Sequence, residues 1–423
     1  MHYFLPAFLL FKPSWQLPHD LGALSMHQPR DSVTYSFDLT RVLSTGAASE
    51  ADEGAGENPL LDVKRRQKFL VPVTIQGQVF NLEVDTGSSD TWVIGTDFTC
   101  YKNYDPNTFA FSGEQAQDTC NFGNTYTPGF SPNGMTNLYI SEGYGDGSRH
   151  IQGPMGYIGV NLGDISVTQL IGVPNESSFP AYGDHQQSGV IGLGLAGLTS
   201  AYVARPPTSD NRQSYSPIIQ SIFDQHEDTL YPQFSLALSR DESQTGYGGV
   251  LTIGGLPDNT STVNYAWAEP TAAELQLYTP FSTTQLTFYS ILIDNFIVGS
   301  SELNPKLQII IDSGDAHFRV PAATADAMNA LWSPPPLFTD KYGTRAIECD
   351  STLTQPIGIG IGGANYFVHP QDFVGQDPDG SCFSYIIPDS FHAIGDPFLK
   401  NVVANFNLQV KTLAFYARNY YES

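Results

Sequence analysis

Two short acid-bearing turns, each delivered by an apolar run, constrain this chain more than any other feature. The first is Val84-Asp85-Thr86-Gly87-Ser88-Ser89-Asp90-Thr91-Trp92-Val93, entered from the alternating run Phe80 to Val84. The second, Ile309-Ile310-Ile311-Asp312-Ser313-Gly314-Asp315, lies 227 residues further on (312 − 85). In each, a glycine two places past the acid lets the backbone double back. N–H and hydroxyl groups are then free to hydrogen-bond the carboxylate and fix its orientation. Repetition at this distance implies a duplicated β architecture that contributes one acid from each half.

At 423 residues the chain can bury two sizeable cores. Its 43 acidic against 19 basic residues give a net charge of −24, which argues against nucleic-acid and anionic-membrane partners. The same balance suits work in acid, where protonation relieves self-repulsion, and equally suits ordinary solubility. No apolar run approaches the length of a membrane-spanning helix. There is no HExxH pair or His/Cys cluster, so neither a metal nor any other cofactor is expected, and no Gly-x-Ser-x-Gly elbow. Gly192-Leu193-Gly194-Leu195-Ala196-Gly197 fits the dinucleotide pattern GxGxxG, but its surroundings are strands and a Ser/Pro-rich loop instead of a βαβ unit. Its glycines read instead as points of close backbone approach.

With Asp-Thr-Gly-Ser-Ser-x-x-Trp-Val at the first turn and a second acid turn downstream, the chain resembles the pepsin-like aspartic endopeptidases over roughly residues 58 to 420. The resemblance implies an all-β, bilobal fold of two related β-barrel-like lobes with a cleft between them and a few short helices. It implies Asp85 and Asp312 as the catalytic pair, with Thr86, Gly87, Ser88, Ser313, Gly314 and Asp315 supporting them. Tyr144-Gly145-Asp146-Gly147, a glycine-aspartate-glycine turn between strand-like runs, matches the hairpin flap that covers substrate. Tyr144 would then hydrogen-bond Trp92. Ser188 to Gly194 and Ile394-Gly395-Asp396 resemble the strands that back the two turns. The expected partners are a peptide or protein substrate, with bulky apolar residues at the cut, and pepstatin-type inhibitors; the expected state is a monomer. Glycosidases also use paired carboxylates but do not present them in such turns.

Cys100 and Cys120 lie after the first motif, Cys349 and Cys382 after the second. Pairing within each half is the natural reading of this placement, the family's disulfides fall in similar places, and each bridge would contribute ~3–4 kcal/mol. Four reduced thiols are the alternative. Residues 1–19 form a weak signal-like segment, apolar only from Tyr3 to Phe11 and broken by Pro6. Residues 20–57 read as propeptide-like or irregular, 58–239 as the N-terminal lobe and 240–423 as the C-terminal lobe. Lys64-Arg65-Arg66 resembles a processing site that abuts a strand, and secreted or vacuolar routing is expected. Ser216-Pro217 should open a short helix whose buried face is Ile218, Ile219, Ile222 and Phe223.

Asp315 departs from the family, which places Thr or Ser there to hydrogen-bond the second acid. Three outcomes are open. Asp315 is protonated and donates in place of the hydroxyl, which shifts activity towards acid; Asp315→Thr is expected to raise activity or move its optimum towards neutral. Alternatively it turns away to pair with Arg319 or His317. In the third, proteolysis is lost and the chain binds or transforms a small molecule.

Overall fold

The computed structural model describes residues 32–43, 67–127, 129–145, 147–181, 185–240, 246–259, 263, 265, 270–278, 285–340, 343–377 and 380–418. The architecture is all-β and bilobal, with a few short helices. Strands β1 (Tyr35–Leu43), β2 (Gln67–Ile75) and β3 (Gln78–Asp85) lie side by side, antiparallel in succession. Gln76 and Gly77 both take positive φ (48° and 82°), the two-residue turn that reverses β2 into β3. Val71, Val73, Ile75, Phe80, Leu82 and Val84 are buried on the core side of this hairpin. The alternation that identifies β3 in the sequence is thus its core-facing edge.

Within the segment 20–57, expected to be propeptide-like or disordered, residues 35–43 form strand β1. This strand sits in the main sheet between β2 and the strand Gly246–Ile253. Its pattern is hidden by a register shift between Leu39 and Thr40, so that Leu39, Arg41 and Val42 are all buried. Asp146, the Lys64-Arg65-Arg66 triad and the signal-like segment lie outside the described residues.

One sheet is shared by the two halves of the sequence. Gln233–Leu238 pairs with both Gly246–Ile253 and Val402–Asn407, and the latter pairs with Thr412–Ala417. Phe234 and Phe406 stack there with ring centres 4.5 Å apart. The boundary expected at 239/240 falls between two strands that pair with each other. Ile218–Gln225 is the expected helix, with Ile218, Ile219, Ile222 and Phe223 buried; it begins directly after Pro217, without a side-chain cap from Ser216. A second helix, Ala322–Asn329, lies within the stretch 321–332. Disulfides join Cys100 to Cys120 and Cys349 to Cys382, one in each half. Among the described residues, no helix is long and apolar enough to cross a membrane.

Candidate active site

Both acid turns are built by the same device. After β3, the chain turns at Asp85 into β4 (Thr91–Val93). The strand Gly189–Gly192 inserts between them, parallel to β3 and antiparallel to β4. Such an insertion needs bare backbone. A Cβ on Gly189 would lie 2.0 Å from the Trp92 carbonyl oxygen, and one on Gly194 would lie 2.6 Å from that of Ser88. In the second half, Gln308–Ile311 delivers Asp312 beside the parallel strand Ala393–Ile394, which pairs with Phe318–Val320. Gly395 then passes so close that a Cβ would fall 1.7 Å from the Asp315 carbonyl oxygen.

The two turns face one another. A Cβ on Gly87 would lie 2.4 Å from the Asp312 carboxyl, and one on Gly314 would lie 2.3 Å from an Asp85 carboxyl oxygen. Each acid therefore rests against the glycine of the opposite turn. Asp85 accepts hydrogen bonds from the Gly87 N–H (2.8 Å) and the Ser88 hydroxyl (2.5 Å). Asp312 accepts one from the Gly314 N–H (2.8 Å). Protein atoms crowd Asp312, and this desolvation raises its carboxyl well above the ordinary 3.8. The charges of Asp85 and Asp315 raise it further, while the Gly314 N–H and Lys68 pull back only in part.

The turns are also bonded to each other, which the sequence does not reveal. Thr86 Oγ1 donates to the Ile311 carbonyl (3.0 Å) and accepts from the Ser313 N–H (2.9 Å). Ser313 Oγ donates to the Val84 carbonyl (2.8 Å) and accepts from the Thr86 N–H (3.1 Å). Four reciprocal bonds between buried groups, each worth about 1 kcal/mol net, fix the acids' relative positions. Behind the first turn, the hydroxyl of the wholly buried Tyr289 donates to the Leu193 carbonyl (2.7 Å).

Asp315 turns away from the pair. Its carboxylate is gripped by Arg319 Nε and accepts the His317 N–H (3.0 Å), with His317 Nδ1 2.8 Å away. Arg319 Nη1 also reaches Asp389 (2.7 Å). Burial opposes the guanidinium's charge, but Asp315 and Asp389 outweigh it and hold Arg319 charged. Of the outcomes left open by the sequence, the structure shows the pairing one.

The hairpin Met135–Tyr144 and Arg149–Leu162, expected to be the flap, turns through Gly145, whose φ of 65° favours glycine. The buried indole of Trp92 donates to the Tyr144 hydroxyl (2.7 Å). Glu142 of that hairpin and Asp90 form a second acid cluster that the sequence alone does not reveal. Asp90 accepts the Tyr215 hydroxyl (2.6 Å) and the Ser200 N–H (2.8 Å). Burial raises Asp90 to about 6, and burial followed by the Asp90 charge raises Glu142 well above its ordinary value. Burial likewise raises Glu83 and Asp396.

These raised carboxyls share one sign. An acid with a raised folded-state value supports stability fully below its unfolded value and loses that support as pH climbs through the folded one. For Asp90 alone, the change from 3.8 to about 6 is worth roughly 3 kcal/mol. The histidines His150, His369 and His392, lowered by burial, act in the opposite sense below their ordinary 6.5, but the raised carboxyls outnumber them, so urea midpoints are expected to fall on balance from about pH 4 to 7. A midpoint that rises across that interval would contradict the account.

A family profile described as eukaryotic aspartyl protease matches residues 69–417. A probable aspartic-type endopeptidase of Aspergillus fumigatus is 31% identical over 406 residues, covering 91% of this chain and 88% of that protein. Rhizopuspepsin of Rhizopus chinensis is 27% identical over 366 residues, covering 84% and 80%. Among solved structures, the aspartic proteinase from Irpex lacteus superposes with a TM-score of 0.62 at 18% identity, covering 92% of this chain and 98% of its own; this likeness bears on the fold alone.

Proposed function

The chain belongs to the eukaryotic aspartyl protease family and is an aspartic-type endopeptidase, and from that premise we propose that Asp85 and Asp312 form its catalytic dyad. The observation that carries this reading is the apposition of the two turns, each acid lying against the other's glycine. Two carboxyls so placed do not readily both ionise, and Asp312 is the one that holds the shared proton.

The Asp85 carboxylate takes a proton from a water as its oxygen attacks the scissile carbonyl. Asp312 gives its proton to the carbonyl oxygen, and a gem-diol forms without an acyl-enzyme. Asp312 then recovers a proton from one gem-diol hydroxyl while Asp85 protonates the leaving nitrogen and the C–N bond breaks. Charge is conserved through both steps. Tyr144, held by Trp92, closes over a substrate side chain, and bulky apolar residues on either side of the cut suit the aromatic surroundings of the flap, where Phe179 packs on Tyr144. The two disulfides support routing through an oxidising compartment. Engagement of Asp315 by Arg319 favours proteolysis over a non-cleaving role, because the extra acid is drawn into an ion pair instead of the dyad.

Peptide cleavage with and without pepstatin tests the proposal, with Asp85→Asn as control. Pepstatin-sensitive cleavage between about pH 2.5 and 6 is expected. Its absence throughout that range in the folded wild-type protein would rule the dyad out.

A further inference from the structure

The two acids are unequally supported. Asp85 receives a hydroxyl from Ser88, whereas the residue in the matching place of the second turn, Asp315, is committed to Arg319. A different group reaches the second turn from behind. Lys68, on β2 of the first half, is buried, and its Nζ donates to the carbonyl of Gly314 at 2.6 Å. The same ammonium pairs with Glu83, which is also buried and stands two residues before Asp85 on β3. Glu83 is fixed from its other side by Gln187 Nε2 (2.8 Å), which also reaches the Gly189 carbonyl of the backing strand (3.2 Å).

A buried ammonium is costly unless paired and hydrogen-bonded, and this one is both. The result is a charged tether running from the strand of the first acid to the turn of the second. Gly314 carries an N–H that bonds Asp312, and its carbonyl, in the next peptide unit of the same turn, is the point at which Lys68 holds that turn. We propose that Lys68, held by Glu83, is a positioning residue for the reaction: by anchoring the Gly314 carbonyl it orients the turn of Asp312, the support that Ser88 gives to Asp85 directly. The inference rests on the dyad reading above.

The charge also acts through space. The charged groups that act on Asp312 include Asp85 on the facing turn, Asp315 on its own turn and Lys68 from β2, and Glu83, beside Lys68, acts on Asp85. Asp396 and Lys400, at the two ends of the helix that follows Gly395, flank the same region, and Lys68 and Glu83 both act on Asp396. Lys68 lowers the proton affinity of Asp312 against the two acids that raise it. Removing the ammonium therefore lets the dyad keep its proton to higher pH, and the basic limb of the activity profile moves upward.

Lys68→Met alone would strand the buried Glu83 carboxylate, so the informative variant is Lys68→Met/Glu83→Gln, which removes both charges. It is expected to lose kcat by roughly tenfold or more with little change in KM and to raise the Asp312 titration, while the basic limb of the activity profile moves upward by less, because the repulsion between Glu83 and Asp85 is lost as well. Lys68→Arg keeps a cation at Gly314 and is expected to leave that limb where the wild type has it, even if packing lowers kcat; this variant serves should the double one fail to fold. A carbon-13 titration of the aspartate carboxyls, assigned with Asp312→Asn, reads the same effect without any substrate. A folded double variant with wild-type kcat, or an unmoved Asp312 titration, overturns the proposal. So does a limb that moves equally in Lys68→Arg. Absence of wild-type cleavage would instead overturn the dyad reading, and the titration still decides the role of Lys68.

Discussion

Asp312→Asn is expected to reduce kcat/KM for peptide cleavage by a factor on the order of 10⁴ or more, with the protein still folded. Asparagine can hold neither the shared proton nor its charge, so both the electrophilic step and the recovery of a proton from the gem-diol are lost. The amide occupies the same volume against Gly87, where a Cβ would fall 2.4 Å from the carboxyl, so the turn itself is undisturbed. Asp85→Asn should cost a similar amount, and the double variant little more than either, because the two groups act as one unit. A single variant retaining about a tenth of wild-type activity would exclude Asp312 from the chemistry.

Arg319→Leu is expected to be the most destabilising single change near the site. It leaves the Asp315 carboxylate, only 7% exposed, without the guanidinium that grips it, at a cost of about 3–5 kcal/mol. Asp389, further open to solvent, loses the same partner. Adding Asp315→Thr removes the stranded charge, and the Arg319→Leu/Asp315→Thr protein should recover most of the stability seen in denaturant titrations. That protein also has a hydroxyl where the first turn has Ser88. Its pH profile carries a sign worth working out. The Asp315 charge is one of the causes that raise Asp312, so deleting it lowers the dyad's hold on its proton. The basic limb then moves towards acid, the reverse of the shift towards neutral expected for a protonated Asp315 bonded to the dyad. Recovery of stability without that acid shift would contradict the electrostatic reading of the turn.

The acid turns, the hairpin that carries Tyr144 and the closely packed glycines were legible because each is a local pattern with a local cause. Lys68 and Glu83 were not. In the alternating run Phe80 to Asp85, Glu83 falls on the face opposite Leu82 and Val84, and such a position ordinarily meets water. Here that face meets the other half of the chain, and Glu83 is 3% exposed. Lys68 follows the basic triad at 64–66 and reads as one more surface cation. β1 escaped notice for a different reason: its register shift breaks the period by which a half-buried strand is recognised. Asp315 was visible as an anomaly, and Arg319 and His317 were visible as its candidate partners. The choice between inward and outward pairing required the path of the chain after Gly314, which sequence spacing does not carry.

The four crossed hydrogen bonds between Thr86 and Ser313 have a mechanical consequence. They tie the two turns into one unit, so that any rotation of one half against the other would turn about the acids. A small rotation about that point displaces a group in proportion to its distance from it, so the far walls of the cleft travel most and the acids least. Were the walls to tilt in this way, the spacing of the two acids would stay constant.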